Sequence, residues 1–131
     1  MTSGQKDLIQ YKLTRAGETL DEAQLMLETH HVHGAANRIY YACFYAVTAL
    51  LLMKNLSSHK HSGVMALFNQ HFVRTGFIPK HLGQFYSEVF DRRIESDYAD
   101  GIDIDPQDMP AQLALARQLV QTVEGYIKAY S

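Results

Sequence analysis

Apolar residues recur three or four positions apart along the first thirty residues of the chain. Between Ile9 and Leu27 the successive steps are 4, 3, 4, 3 and 4. This spacing places the residues on one stripe of a helix. We predict an amphipathic helix from about Gln5 to Thr29, ended by a glycine in the segment from His30 to Gly34. The residues of the stripe are Ile9, Leu13, Ala16, Leu20, Ala23 and Leu27.

The segment from Ala35 to Leu56 is apolar on more than one side. One line of residues again steps by four and three, and a second line runs beside it. A helix of this kind lies at the centre of a bundle or in an oligomer interface. Cys43 belongs to the first line, and we interpret it as a small core residue rather than a nucleophile. The two lines are Ile39, Cys43, Ala46, Leu50 and Met53, and Tyr40, Phe44, Val47 and Leu51.

Two more helices are expected after the polar break that follows the second. The first is short, runs from His61 to Arg74, and is stopped by Gly76. The second has Pro79 in its first turn, where a missing N–H is tolerated, and ends near Tyr98.

The stretch from Asp97 to Asp108 holds five aspartates and predicts a loop. Asp105 or Asp108 can then cap a final helix. Since strand alternation and internal repeats are both lacking, the sequence predicts an all-α antiparallel helical bundle with four long helices and one short helix.

The length, cysteine count, apolar runs and net charge of the chain restrict the class of protein to which it can belong. A chain of 131 residues is the length of one domain, residues 1–131, and its single cysteine excludes an internal disulfide framework. No apolar run reaches membrane-spanning length, and the N-terminus is polar, so we expect a cytoplasmic protein with no membrane association. The formal charge of −2 is not that of a general nucleic-acid coat.

The end of the fourth helix carries charges where its apolar stripe should continue. Leu82, Tyr86 and Val89 lie on one helical line, and that line leads to Arg93 and then to Asp97. Charge on a buried face is costly unless it is paired. Two interpretations stay open: an ion pair between Arg93 and Asp97, or an arginine directed into a cleft to hold a phosphate.

The seven histidines are candidate metal ligands. His30, His31 and His33 form one group, and His59 and His61 form another. Metal sites need three or four converging ligands, and this loop spacing is weak support for one. We interpret both groups as solvated histidines at helix ends. We predict no metal and no cofactor.

Two motifs together resemble the HEPN-domain family, the higher eukaryote and prokaryote nucleotide-binding proteins. The segment from Ala35 to Ala46 contains N-R-x-Y-Y-A-x-F, beginning at Asn37. The run from Arg93 to Tyr98 reads R-x-x-[small]-D-Y, and both patterns are similar to those of one small prokaryotic branch of this family. The order of the helices also matches, so the resemblance covers nearly the whole chain.

The resemblance implies a small helical bundle that forms a homodimer. Many members are metal-independent ribonucleases, and others are partners of a minimal nucleotidyltransferase in toxin–antitoxin pairs. The ribonuclease motif is an arginine, four to six residues, and a histidine, in which the arginine stabilises phosphate charge and the histidine moves protons. Counting from Arg92 or Arg93 reaches no histidine here, so whether the chain is an enzyme stays open.

The resemblance also implies which residues form the catalytic and phosphate-binding sites. Arg93, Asp97 and Tyr98 are the candidate catalytic residues, and Tyr98 is also a candidate acceptor for nucleotide modification. The resemblance implies four further residues that would line a phosphate or nucleotide cleft. One of them, Asn37 or Arg38, should bond to the end of the fourth helix near Asp97 and Tyr98. Those four are Asn37, Arg38, Tyr41 and Arg92.

We therefore expect a dimeric HEPN-type interaction module that partners a nucleotidyltransferase and binds nucleotide or RNA phosphate at Arg93. The alternative is a ribonuclease toxin with a degenerate active site. A third interpretation is a binder of nucleotides or small ligands beside Arg93 and Tyr98.

Overall fold

The computed structural model describes residues 1–98 and 104–131, with the side chains of residues 94–98 outside that description. It confirms an all-α fold with four long helices and one short helix, and no strand occurs among the described residues. The helices are α1 (Ser3–Glu28), α2 (Val32–Leu52), α3 (His61–Phe68), α4 (Lys80–Tyr98) and α5 (Met109–Tyr130).

Helix α1 begins at a capping box and ends without a glycine. The Thr2 hydroxyl accepts from the Gln5 backbone N–H, and the Gln5 side chain accepts from the Thr2 N–H. At the other end His30 takes the left-handed conformation, with φ of 63°. The predicted glycine stop was therefore wrong. Gly34 lies inside α2, where an added Cβ would come within 2.8 Å of the Met26 sulfur on α1.

Helix α2 lies at the centre of the bundle, as its two apolar lines predict. It packs against each of the other four helices, and ten of its 21 residues are buried. By length and composition alone it could cross a membrane, but a core helix passes the same test. Cys43 is fully buried within it, which confirms its interpretation as a core residue.

Three helix ends differ in detail from the predicted ones. Helix α3 continues as a π-helical turn over Asn69–Val73, and Gly76 follows with φ of 84°, the left-handed conformation glycine adopts without strain. Pro79 lies immediately before α4 rather than in its first turn. The Asp105 side chain caps a single 3₁₀ turn, Pro106–Asp108, that leads into α5.

The buried line on α4 leads directly to the candidate site. Leu82, Tyr86 and Val89 are buried, and Arg93 follows on the same side as a half-buried residue. Because α4 packs on α2, this line brings Arg93 against the N-terminal half of α2.

Candidate phosphate-binding site

Arg93 is held on two neighbouring tyrosines of α2. Its Nη2 donates a hydrogen bond to the Tyr41 hydroxyl at 3.1 Å. Its guanidinium carbon lies 5.2 Å from the centre of the Tyr40 ring and 5.5 Å from that of Tyr41. A guanidinium can stack on aromatic rings with its faces and bind an oxyanion with its edge, which is the chemistry that a phosphate site requires.

His61 packs on the same two tyrosines. Its ring stacks 4.3 Å from that of Phe44, and its Nδ1 lies 2.7 Å from the Tyr40 hydroxyl. It also meets the Tyr41 ring edge-on at 6.1 Å. The interpretation of His61 as a solvated helix-end residue was therefore wrong, because its ring is half-buried among α2 aromatics. We call Tyr40, Tyr41, His61 and Arg93 the Arg93 cluster.

Arg38 reaches the edge of this cluster from α2. Its guanidinium carbon lies 5.9 Å from the centre of the Tyr41 ring, so Arg38 and Arg93 share one aromatic side chain. Its nitrogens also bond to the side-chain oxygen of Asn37, at 2.8 Å from Nη2, and to Glu22 on α1 at 3.5 Å. Asn37 itself is exposed.

The other residues expected at the site are exposed or have side chains outside the described part of the chain. The Arg92 side chain is exposed, whereas that of Arg93 is half-buried. The side chains of Asp97 and Tyr98 are outside the described part. The expected Arg93–Asp97 ion pair and the expected contact from Asn37 or Arg38 to this helix end therefore lie outside the described residues as well.

Burial keeps the buried hydroxyls of this region protonated. It raises the pKa of Tyr40 to about 12 and the pKa of Tyr86 well above its ordinary value. The Tyr86 side chain is fully buried and interacts with the Tyr40 side chain. Its ring lies parallel to that of Tyr40, with centres 6.2 Å apart. At neutral pH these two tyrosines are therefore hydrogen-bonding groups, not phenolates.

The described side chains give little support for a cysteine nucleophile or for a metal site. Burial raises the pKa of Cys43, so its thiol is a poor nucleophile. No three histidine, cysteine or acidic side chains converge to hold a metal ion within residues 1–93 and 104–131. An open groove beside the π-helical turn is lined by Arg74, Lys80 and Glu88 and does not include the Arg93 cluster.

The fold and the cluster together define a small all-helical domain that carries an arginine and a histidine on a tyrosine platform. The HEPN domain model matches residues 9–126. The chain therefore belongs to the HEPN domain family.

Three relatives are similar to this chain over at least 70% of its length. A UPF0332 protein of Thermotoga maritima is 43% identical over 121 residues, which cover 92% of each chain. Two proteins of Methanocaldococcus jannaschii carry the name "Putative toxin". One is 36% identical over 71% of this chain and 69% of its own length. The other is 33% identical over 70% of this chain and 63% of its own length.

Proposed function

We propose that this chain is a dimeric HEPN-type interaction module of a toxin–antitoxin pair, that its partner is a minimal nucleotidyltransferase, and that it binds nucleotide or RNA phosphate at Arg93. The observation that carries the phosphate site is the placement of Arg93, half-buried, on the rings of Tyr40 and Tyr41. Family membership and the names of the two archaeal relatives support the toxin–antitoxin setting. The cytoplasm is the expected compartment.

The physical case for phosphate rests on the aromatic platform. A half-buried arginine is attracted to the faces of aromatic rings, which hold its guanidinium in one orientation. Its hydrogen bond to Tyr41 restricts that orientation further. A preorganised guanidinium loses little conformational entropy when it binds a planar pair of phosphate oxygens. Arg38 adds a positive charge beside the Tyr41 ring, and both charges favour an anion.

Two measurements test the proposal. If a minimal nucleotidyltransferase is encoded beside this chain, co-expression of the two should yield a complex that co-purifies. The lack of such a gene, or separate elution of the two proteins, would count against the partner. Titration with a labelled nucleotide should show binding that weakens with salt and is lost in Arg93→Gln. Arg74→Gln removes the same charge from an exposed position outside the Arg93 cluster and is the matched control.

A metal-independent ribonuclease is the second candidate, and the toxin names of the archaeal relatives favour it. Cleavage of a mixed RNA by the wild type, abolished in Arg93→Ala, would support this candidate over the interaction module. General acid–base assistance contributes about 10²–10⁴-fold to catalysis. Since the motif histidine is missing, we expect cleavage to be weak or absent.

A further inference from the structure

We infer that an exposed aromatic patch beside Lys54 is a docking surface for an acidic, apolar segment of a partner protein. The rings of the patch are those of Phe77, which precedes α4, and of Tyr126 and Tyr130, which lie in the last two turns of α5. We call these three residues and Lys54 the Phe77 patch. The inference rests on the proposed role as an interaction module, but not on the identity of the partner.

The three rings of the patch form one contiguous apolar surface. Phe77 meets the Tyr126 ring edge-on with ring centres 5.6 Å apart, and the centres of the Tyr126 and Tyr130 rings are 4.6 Å apart. The exposed fraction is 46% for Phe77 and 67% for Tyr130. Single exposed apolar residues are ordinary, whereas exposed aromatic residues that contact each other are typical of interaction sites.

The surrounding structure holds these rings in place. The Ile78 backbone N–H, next to Phe77, donates to the Phe72 carbonyl at 2.9 Å and closes the turn that carries Phe77. The Phe72 ring is fully buried and meets Tyr126 edge-on with ring centres 5.7 Å apart. Aromatic side chains that are already held in position lose little conformational entropy when a partner binds.

Lys54, which follows α2, gives the patch a positive charge. Its Nζ lies 4.8 Å from the centre of the Phe72 ring and 5.2 Å from that of Phe77. Within the described part of the chain no carboxylate forms an ion pair with Lys54. Glu124 is two positions from Tyr126 on α5, and residues two apart on a helix do not face the same way. An ammonium has three N–H donors, so Lys54 can bond a carboxylate while it stays on the rings.

The charge and the arrangement of the rings favour an acidic protein segment as the occupant. A carboxylate of such a segment would pair with Lys54, while its apolar side chains cover the rings. A second copy of this chain would bring another Lys54 and no carboxylate from its own patch. Nucleobases need open ring faces for stacking. In the patch, Phe77 meets Tyr126 edge-on and Tyr126 contacts Tyr130, so these rings leave no parallel slot for a base.

The Phe77 patch is separate from the Arg93 cluster. From Tyr41 to Leu52, the last residue of α2, the helix axis rises about 16 Å, and Lys54 lies beyond that end. A segment bound at the patch therefore leaves the Arg93 cluster accessible.

Two fluorescein-labelled amphipathic peptides test the surface. One carries leucine and phenylalanine at helical spacing with glutamate at the other positions, and its twin carries lysine in place of glutamate. The full chain should bind the acidic peptide about tenfold more tightly than the basic twin in anisotropy titrations, and salt should weaken the binding. In NMR spectra the acidic peptide should shift the amide signals of Lys54, Phe77 and Tyr130 and leave that of Tyr41 unchanged.

Two variants test the contributions of charge and ring separately. Lys54→Glu should reverse the preference, so that the basic twin binds more tightly than the acidic peptide. Phe77→Ser should weaken the binding of the acidic peptide about tenfold. Lys60→Glu and Tyr11→Ser make the same changes at exposed positions outside the patch and should bind like the wild type.

Circular dichroism shows whether Phe77→Ser has folded, and if it has not, Tyr130→Ser at the most exposed ring replaces it. Equal binding of the two peptides by the wild type, or an unchanged preference in Lys54→Glu, would overturn the inference. Full affinity in the folded serine variant would do the same. An oligothymidine that shifts the signals of the patch and binds more tightly than the acidic peptide would assign the surface to nucleic acid instead.

The outcomes also separate this inference from the proposed function. If the chain co-purifies with a nucleotidyltransferase but the acidic peptide does not bind at the patch, only the docking surface is wrong. If the acidic peptide binds at the patch but no nucleotidyltransferase co-purifies, the surface stands and the proposed partner is wrong.

Discussion

Arg93 on α4 and Tyr41 on α2 are joined by a hydrogen bond of 3.1 Å from the guanidinium to the hydroxyl. The two residues are 52 positions apart in the chain. The bond connects the end of the buried line on α4 to the central helix, and it holds the guanidinium at the surface of the aromatic platform.

Arg93→Lys should bind the labelled nucleotide about tenfold more weakly than the wild type. A lysine ammonium keeps the charge but lacks the planar guanidinium, which can donate hydrogen bonds to the Tyr41 hydroxyl and to a phosphate at the same time. Arg74→Lys makes the same exchange at an exposed position outside the cluster and should change the affinity less than twofold. Equal losses in the two variants, measured by anisotropy, would show that only net charge matters.

Gly83 should be intolerant of alanine. A Cβ at this position would lie 2.8 and 2.9 Å from the two methyl carbons of Val73. We expect Gly83→Ala to lower the free energy of unfolding by about 1–3 kcal/mol, as overpacked cores do. Adding Val73→Ala removes both methyl groups and should relieve the overpacking.

Gly17 provides the matched control on α1. Nothing lies within 4 Å of a Cβ added there, so Gly17→Ala should stabilise the helix by up to about 1 kcal/mol. Urea unfolding measures all of these variants. A Gly83→Ala protein as stable as the wild type would show that Val73 can move without cost.

Stability should fall as the pH rises from 10 to 12. The pKa of Tyr40 is raised to about 12, so the unfolded chain releases this proton at lower pH than the folded chain does. The contribution of Tyr40 is complete below pH 10 and is lost by about pH 12. Tyr40→Phe should reduce the alkaline loss by about 1–2 kcal/mol. Exposed Tyr11, changed to phenylalanine, should leave the loss unchanged in urea titrations at pH 9 and 11.

Cys43 should be inert in the native protein. Its side chain is fully buried and burial raises its pKa, so little thiolate forms and reagents cannot reach it. A colorimetric disulfide reagent at pH 8 should label the thiol only as fast as the protein unfolds, and should label it at once in denaturant. Rapid stoichiometric labelling of the native chain would contradict the burial.

The protein should sediment as a homodimer of about twice its chain mass of 14.9 kDa. A stripe of side chains at helical spacing on α2 stays half-exposed and is rich in aromatic residues. Thr48→Arg would place a charge in its middle and should shift the protein toward monomer. The members of the stripe are Tyr41, Phe44, Tyr45, Thr48 and Leu52.

The control for this variant is Gln121→Arg, an equal charge change on the exposed face of α5. It should leave the dimer intact. A monomer of the wild type at micromolar concentration would contradict the prediction, and so would dissociation by both variants.

Much of the fold could be predicted because helical periodicity is local. The stripe on α1, the burial of Cys43 and the line from Leu82 to Arg93 depend only on residues three and four positions apart. The end of α1 was harder to predict. His30 supplies the left-handed residue that glycine usually provides, while the expected stop, Gly34, allows α1 and α2 to approach closely.

The sequence by itself determined that the chain forms a helical bundle and that Arg93 ends a buried line on one helix. Only the tertiary structure decided what Arg93 meets. His61 lies 21 positions from Tyr40, and no periodic pattern links the two, so the sequence predicts a solvated residue. The contact arises because the segment after α2 folds back and places the start of α3 beside Tyr40, and packing between helices depends on the whole chain rather than on local spacing.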